Sequence, residues 1–152
     1  MITEKDFKGE LLEILISNEF CDQLTAGSCD TYDCILVYAD KAIQVTHVRI
    51  DGEDDYEDGG FEFEKIEHPD RTVFSYAIRP SENEHIIFKK FYYESDNLLQ
   101  GIKFRWDESY LTVFTTWFNL IITKSIIDLT GEDKYDELPD EDPSKFIIYN
   151  VD

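Results

Sequence analysis

The chain has 152 residues, 42% hydrophobic and 14% aromatic, and its 34 acids against 14 bases give a net charge of −20. A chain of this length and apolar content can bury roughly 70% of its unfolded surface, which excludes a disordered chain and fits a single domain over residues 1–152. So acidic a surface repels nucleic acid and anionic membranes.

The opening Met-Ile-Thr-Glu-Lys-Asp has no basic stretch leading into an apolar one, so a cytoplasmic protein is expected. Thr3 followed by Asp6 is a variant of the capping box, and Glu4 and Asp6 suit a helix N-terminus. Phe7, Leu11, Ile14 and Leu15 then fall at i, i+4, i+7 and i+8, which predicts an N-terminal helix ending near Ser17 to Phe20. Gly9 weakens that helix by about 1 kcal/mol relative to alanine. Thr25 to Asp33 reads as a loop from its Gly, Ser, Asp and Thr content. Cys21, Cys29 and Cys34 are an odd number without a C-x-x-C spacing, and free thiols are expected.

Beyond Cys34 the period becomes that of strands. Cys34 to Tyr38 and Ala42 to Ile50 flank Asp40-Lys41 as a hairpin. Phe61 to Glu67 alternates apolar Phe61, Phe63 and Ile66 with Glu62, Glu64 and Lys65, slipping at Lys65-Ile66, as a strand with one buried and one wet face does. His68-Pro69-Asp70 is a turn, Thr72 to Ile78 a returning strand, Pro80 to Glu84 a turn, and Ile86 to Tyr93 a further strand. Asp96 to Gly101 connects it to a strand at Lys103 to Trp106. Tyr110 to Leu129 is the longest apolar run, with β-branched residues at nine of its twenty positions, and it predicts two core strands turning near Phe118-Asn119. Asn119, Lys124, Asp128 and four threonines make that run costly to place in a bilayer. After Gly131 an acidic segment is closed by Pro139 and Pro143, and Phe146 to Val151 reads as a final strand.

One helix followed by closely linked strands predicts an α+β fold: an N-terminal helix packed on a twisted, mainly antiparallel sheet of about seven to nine strands. A small barrel or sandwich is the alternative. The expected core draws on Phe7, Leu11, Ile14, Ile35, Val37, Phe104, Trp106, Leu111, Val113 and Ile121.

Motifs that carry chemistry fail on inspection. In Asp51 to Gly60, DGEDDYEDGG, the glycine required at the sixth position of an EF-hand is Tyr56, and a frame starting at Asp54 ends on Lys65 where a glutamate is needed. His47, His68 and His85 do not pair with cysteines at zinc-finger spacing. No G-x-S-x-G, P-loop or G-x-G-x-x-G is present. Glu132-Asp133-Lys134 offers the carboxylates and lysine of a nuclease, but within a loop-like tract. Neither an enzymatic activity nor a cofactor or metal is expected.

The charge is unevenly placed. Residues 51–67 carry a net −8 and residues 128–152 a net −7, whereas residues 68–127 are neutral with seven acids and seven bases. Both acidic tracts set a tyrosine among carboxylates: Asp51, Glu53, Asp54, Asp55, Tyr56, Glu57 and Asp58 in the first, and Asp133, Tyr135, Asp136 and Glu137 in the second. Asp30-Thr31-Tyr32-Asp33 is a weaker third copy. Each tract, near 51–60 and 130–143, reads as a surface loop. A tyrosine supplies a rigid amphipathic anchor, and the carboxylates around it steer and select a basic protein. These two tracts are the candidate partner-binding residues, on a chain expected to be a monomer or weak dimer.

In size, acidity, lack of catalytic motifs and acid–tyrosine tracts, the chain resembles the small acidic immunity proteins of bacterial polymorphic toxin systems. The resemblance is one of class and transfers no family residue. It implies a protein that binds a basic toxin and blocks it. The alternatives are a DNA mimic of the anti-restriction or anti-CRISPR type, for which Glu62 and Glu64 supply carboxylates two residues apart on a strand, and a ligand-binding domain.

Overall fold

The computed structural model describes residues 2–17, 28–51, 57–93, 99–115, 120–126 and 148–150, and everything below concerns these. The expected N-terminal helix is a single turn, α1 (Glu4–Phe7). The Thr3 N–H donates to Asp6 Oδ2 at 2.8 Å, so the reciprocal limb of the capping box forms. Lys8 is already extended, and Gly9 at φ 110° turns the chain in a conformation that side chains with a Cβ rarely adopt. The residues expected to complete the helix form β1 (Glu10–Ile16) instead, which overturns the α+β expectation. The reason lies in β1's position. It is paired on both edges and buried on both faces, so Leu11, Ile14, Leu15 and Ile16 are all core residues. A doubly buried strand reads as an apolar run that periodicity alone does not separate from a buried helix.

The other strands are β2 (Ser28–Thr31), β3 (Asp33–Tyr38), β4 (Ala42–Asp51), β5 (Glu57–Ile66), β6 (Tyr76–Ile78), β7 (Ile86–Tyr93), β8 (Leu99–Trp106), β9 (Ser109–Thr115), β10 (Leu120–Ile126) and β11 (Ile148–Asn150). All described pairs are antiparallel, in the order β2-β10-β9-β8-β7-β1-β3-β4-β5. β6 lies off this path, paired with the C-terminal half of β1 and with β11. The β3–β4 hairpin falls at the residues that the sequence indicates, and Ile86–Tyr93 is a strand as expected. Thr25 to Asp33, expected to be a loop, contains β2, and only Tyr76–Ile78 of the expected Thr72 to Ile78 strand is extended. The Asp70 carboxylate accepts the Thr72 N–H at 3.0 Å and its hydroxyl at 2.6 Å, holding the preceding residues in a turn.

Two arms therefore diverge from β1: β3-β4-β5 on one side and β7-β8-β9-β10-β2 on the other. They meet again, because a single residue, Tyr32, separates β2 at the end of the second arm from β3 at the root of the first. The sheet is rolled, closer to the barrel alternative than to a helix on an open sheet. Its inner face holds the main core, with Ile14, Leu36, Val45, Ile102, Phe104, Leu111, Val113 and Ile122 all buried. Phe7 closes one opening. Its ring meets Phe63 of β5 at 5.2 Å and Phe91 of β7 at 5.1 Å, and its carbonyl accepts the Tyr38 hydroxyl at 2.9 Å. A smaller cluster of Leu15, Ile35, Ala42, Phe74 and Ala77 covers the outer face of β1 and β3.

Eight of the ten expected core residues are buried. Val37 is half-buried, against the smaller cluster. Ile121 is half-buried too, because β10 turns Leu120 and Ile122 inward. The apolar run gives no alternation by which to choose its facing; pairing with β9 decides it.

Candidate functional site

The first acidic tract sits on a long hairpin. β4 and β5 pair without a register break from Ala42↔Ile66 to Asp51↔Glu57. Asp51 is the last residue of β4, and Glu57 and Asp58 open β5. Glu53, Asp54, Asp55 and Tyr56 lie outside the described residues, as do Asp133, Tyr135, Asp136 and Glu137. What is positioned is thus the stem of the first tract: ten cross-strand pairs, each restricting the twist and register of the next.

Alternation along β5 sends Phe61 and Phe63 toward the core and leaves Glu62 and Glu64 exposed on the outer face. Their cross-strand neighbours on that face are Thr46 and Gln44. Asp33 of β3 joins them, since Gln44 Nε2 donates to Asp33 Oδ2 at 3.4 Å. Burial pushes the Asp33 carboxyl up from its ordinary value, against the Gln44 hydrogen bond that lowers it. Next to Asp33, Tyr32 is 55% exposed while its carbonyl accepts the His47 N–H at 2.8 Å, so the ring stands out from a fixed backbone. The third, weaker acid–tyrosine copy is therefore the one whose tyrosine is placed, at the point where the two arms meet. Five polar residues from three strands, Asp33, Gln44, Thr46, Glu62 and Glu64, form a face suited to accepting hydrogen bonds from lysine and arginine.

The second arm differs in sign. β7 and β8 contain Lys89, Lys90, Lys103 and Arg105 and no acid. Between Phe88 and Lys90 the register slips, so Lys89 and Lys90 together oppose Lys103. Lys103 is 1% exposed, with its ammonium 3.4 Å from the centre of the Tyr110 ring, and Arg105 lies over the same ring at 5.7 Å. Burial, then Lys90 and Lys89, push the Lys103 ammonium down to about 8. The sequence signal for this patch was the neutrality of residues 68–127; only strand pairing shows that four of their seven bases gather on β7 and β8.

A third charged group lies on the outer face of β1. The Glu13 carboxylate is bonded to Arg79 at 2.6 Å and to Arg71 at 2.7 Å. Burial acts to raise its pKa, but the hydrogen bonds from Arg79 and Arg71 outweigh it and hold it below the ordinary value. Beside Arg71 an open groove of about 600 Å³ is lined by Tyr38, Asp40, Lys41, Lys65 and Glu67. Two of its three cations are engaged in ion pairs, Lys65 with Asp6 at 2.6 Å and Arg71 with Glu13, and the third, Lys41, lies over the Tyr38 ring at 5.1 Å.

Among the described residues no three His, Cys, Asp or Glu side chains gather as a metal site requires, and no helix is long and apolar enough to cross a membrane. His85 is bonded to Glu10 at 2.5 Å on the surface, and the Cys34 thiol is buried. Comparison with protein families, with characterised proteins and with solved structures finds no match to this chain.

Proposed function

We propose that this chain is a non-enzymatic binding protein that neutralises a basic protein partner, acting as a cytoplasmic immunity protein against a cognate bacterial toxin. The observation that supports this reading is that Asp51, Glu57 and Asp58, which flank the centre of the first acidic tract, are the far end of a ten-pair hairpin. A field of that strength destabilises the fold by self-repulsion unless something uses it. Glu62, Glu64 and Asp33 extend the same sign down the hairpin toward the root of the arm.

A second reading, a DNA mimic, draws on one observation. Glu62 and Glu64 stand on an ordered strand, about 6.7 Å apart by strand geometry, a spacing close to that of a row of phosphates.

The test is recovery of the partner from the native host, followed by binding kinetics at several salt concentrations. A basic toxin domain, inactive in the complex and bound fast at low salt, supports immunity. Asp54→Asn with Asp58→Asn should then mainly lower the association rate, and Tyr56→Ala should mainly raise dissociation, by about 2 kcal/mol if the ring is an anchor. A DNA-binding enzyme that DNA displaces supports the mimic. A neutral or acidic partner whose affinity ignores salt overturns both.

A further inference from the structure

The cationic strip on the second arm is not used by the reading above, since a basic partner is repelled by it. It gathers four of the chain's 14 bases on two neighbouring strands that hold no acid, in a chain where acids outnumber bases by 34 to 14. The slip between Phe88 and Lys90 concentrates it further, setting two lysines against a third. Like charges directly opposite one another on a sheet are destabilising, and a bulge that arranges them is a placed feature rather than a defect. Its accessible part consists of Lys89, Lys90 and, opposite Arg105, Ile87, which is 49% exposed. A single-stranded nucleic acid would need an open aromatic face for stacking, and the Tyr110 ring already carries the Lys103 ammonium and the Arg105 guanidinium.

We infer that this strip is a docking surface for a second copy of the chain, received through its acidic β3-β4-β5 face. Charge complementarity carries the assignment: the exposed Lys89 and Lys90 on one copy meet the exposed Glu62 and Glu64 on the other. Each surface also carries one exposed apolar side chain, Ile87 on the strip and Tyr32 on the acidic face. The contact is heterologous, since different patches of the two copies meet. It does not depend on the existence of a toxin.

Salt should act on it in two directions. At low ionic strength, where the Debye length reaches about 30 Å, two copies of charge −20 repel each other before the patches touch. Near physiological salt, where it is about 8 Å, the net repulsion is screened and the contacting pairs survive; at high salt these are screened as well.

Sedimentation equilibrium of the whole chain tests this. The wild type should self-associate most at intermediate salt. Lys89→Glu with Lys90→Glu removes the strip, and Glu62→Lys with Glu64→Lys reverses the acidic face; each variant should be monomeric alone with an unchanged circular dichroism spectrum. Mixed, they should associate at least tenfold more tightly than either does by itself, since the strip of one still meets the acidic face of the other. A wild type that is monomeric at every salt concentration overturns the inference. So does a mixture that behaves as the sum of its parts, or a strip variant that associates like the wild type.

Discussion

The two arms of the rolled sheet share one apolar core but carry opposite charges on their outer faces, and each is strained by its own. On the β3-β4-β5 arm the half-buried Asp33 carboxyl is pushed up, so its ionised form is disfavoured where it sits. On the β7-β8-β9 arm burial and two neighbouring lysines push the Lys103 ammonium down to about 8. In both cases desolvation opposes the charged form, and the direction of the shift follows from the sign of the group. Between the arms, Glu13 shows the opposite outcome: two guanidiniums outweigh its burial and hold it ionised. A buried charge in this fold is therefore stabilising where a counter-charge has been placed at hydrogen-bond distance, as at the root of β1.

The largest expected effect addresses what the arms share. Phe7 touches rings of both, so Phe7→Ala should cost about 3–5 kcal/mol in a urea titration. Ile122→Ala should cost about 2–5 kcal/mol, against less than half as much for Ile121→Ala. A larger loss for Ile121→Ala than for Ile122→Ala would mean that β10 faces the other way.

Next comes the junction. Glu13→Gln keeps the volume but removes a charged acceptor from two arginines, with an expected loss of roughly 1.5–3 kcal/mol. Because the Glu13 pKa is lowered from 4.5 on folding, its contribution is fully present above that value and lost as pH falls through the folded value. The variant should therefore flatten the acid limb of the wild-type stability curve. An unchanged limb would assign the acid sensitivity to other carboxylates.

The smallest effects separate the arms themselves. Lys103 binds fewer protons folded than unfolded between about 8 and 10.5, so wild-type stability should gain from this group as pH rises through that window. Lys103→Met should raise stability at neutral pH by about 1 kcal/mol, with the advantage shrinking toward pH 10.5 as the wild-type amine becomes neutral. For Asp33 the sign reverses. Its contribution is present below 3.8 and lost as pH rises through its raised folded value, so Asp33→Asn should raise the melting temperature at neutral pH. A fall in stability for either variant would mean that its charge is stabilised where it stands, and the contrast between the arms would fail.

Local sequence determined much of this protein. The alternation of Phe61, Glu62, Phe63 and Glu64 places a phenylalanine pair in the core and a carboxylate pair outside, because a strand sends successive side chains to opposite faces. Asp40-Lys41 between two β-rich runs gives the β3–β4 hairpin, and the β-branched run from Tyr110 gives β9 and β10. The concentration of charge in the first tract is equally legible, since it is a property of composition. What tertiary structure decided lies where burial is two-sided or pairing is distant. Leu11, Ile14, Leu15 and Ile16 fit a helix stripe and a doubly buried strand alike, and only β3, β6 and β7 on the edges of β1 make it a strand. Ile121 faces outward because β9 fixes the register of β10. Glu13 finds Arg71 and Arg79 across more than fifty residues of chain, and Lys89 and Lys90 meet Lys103 across a hairpin and a bulge. No local pattern encodes such meetings, because side chains far apart in sequence become neighbours only when the sheet that carries them has closed.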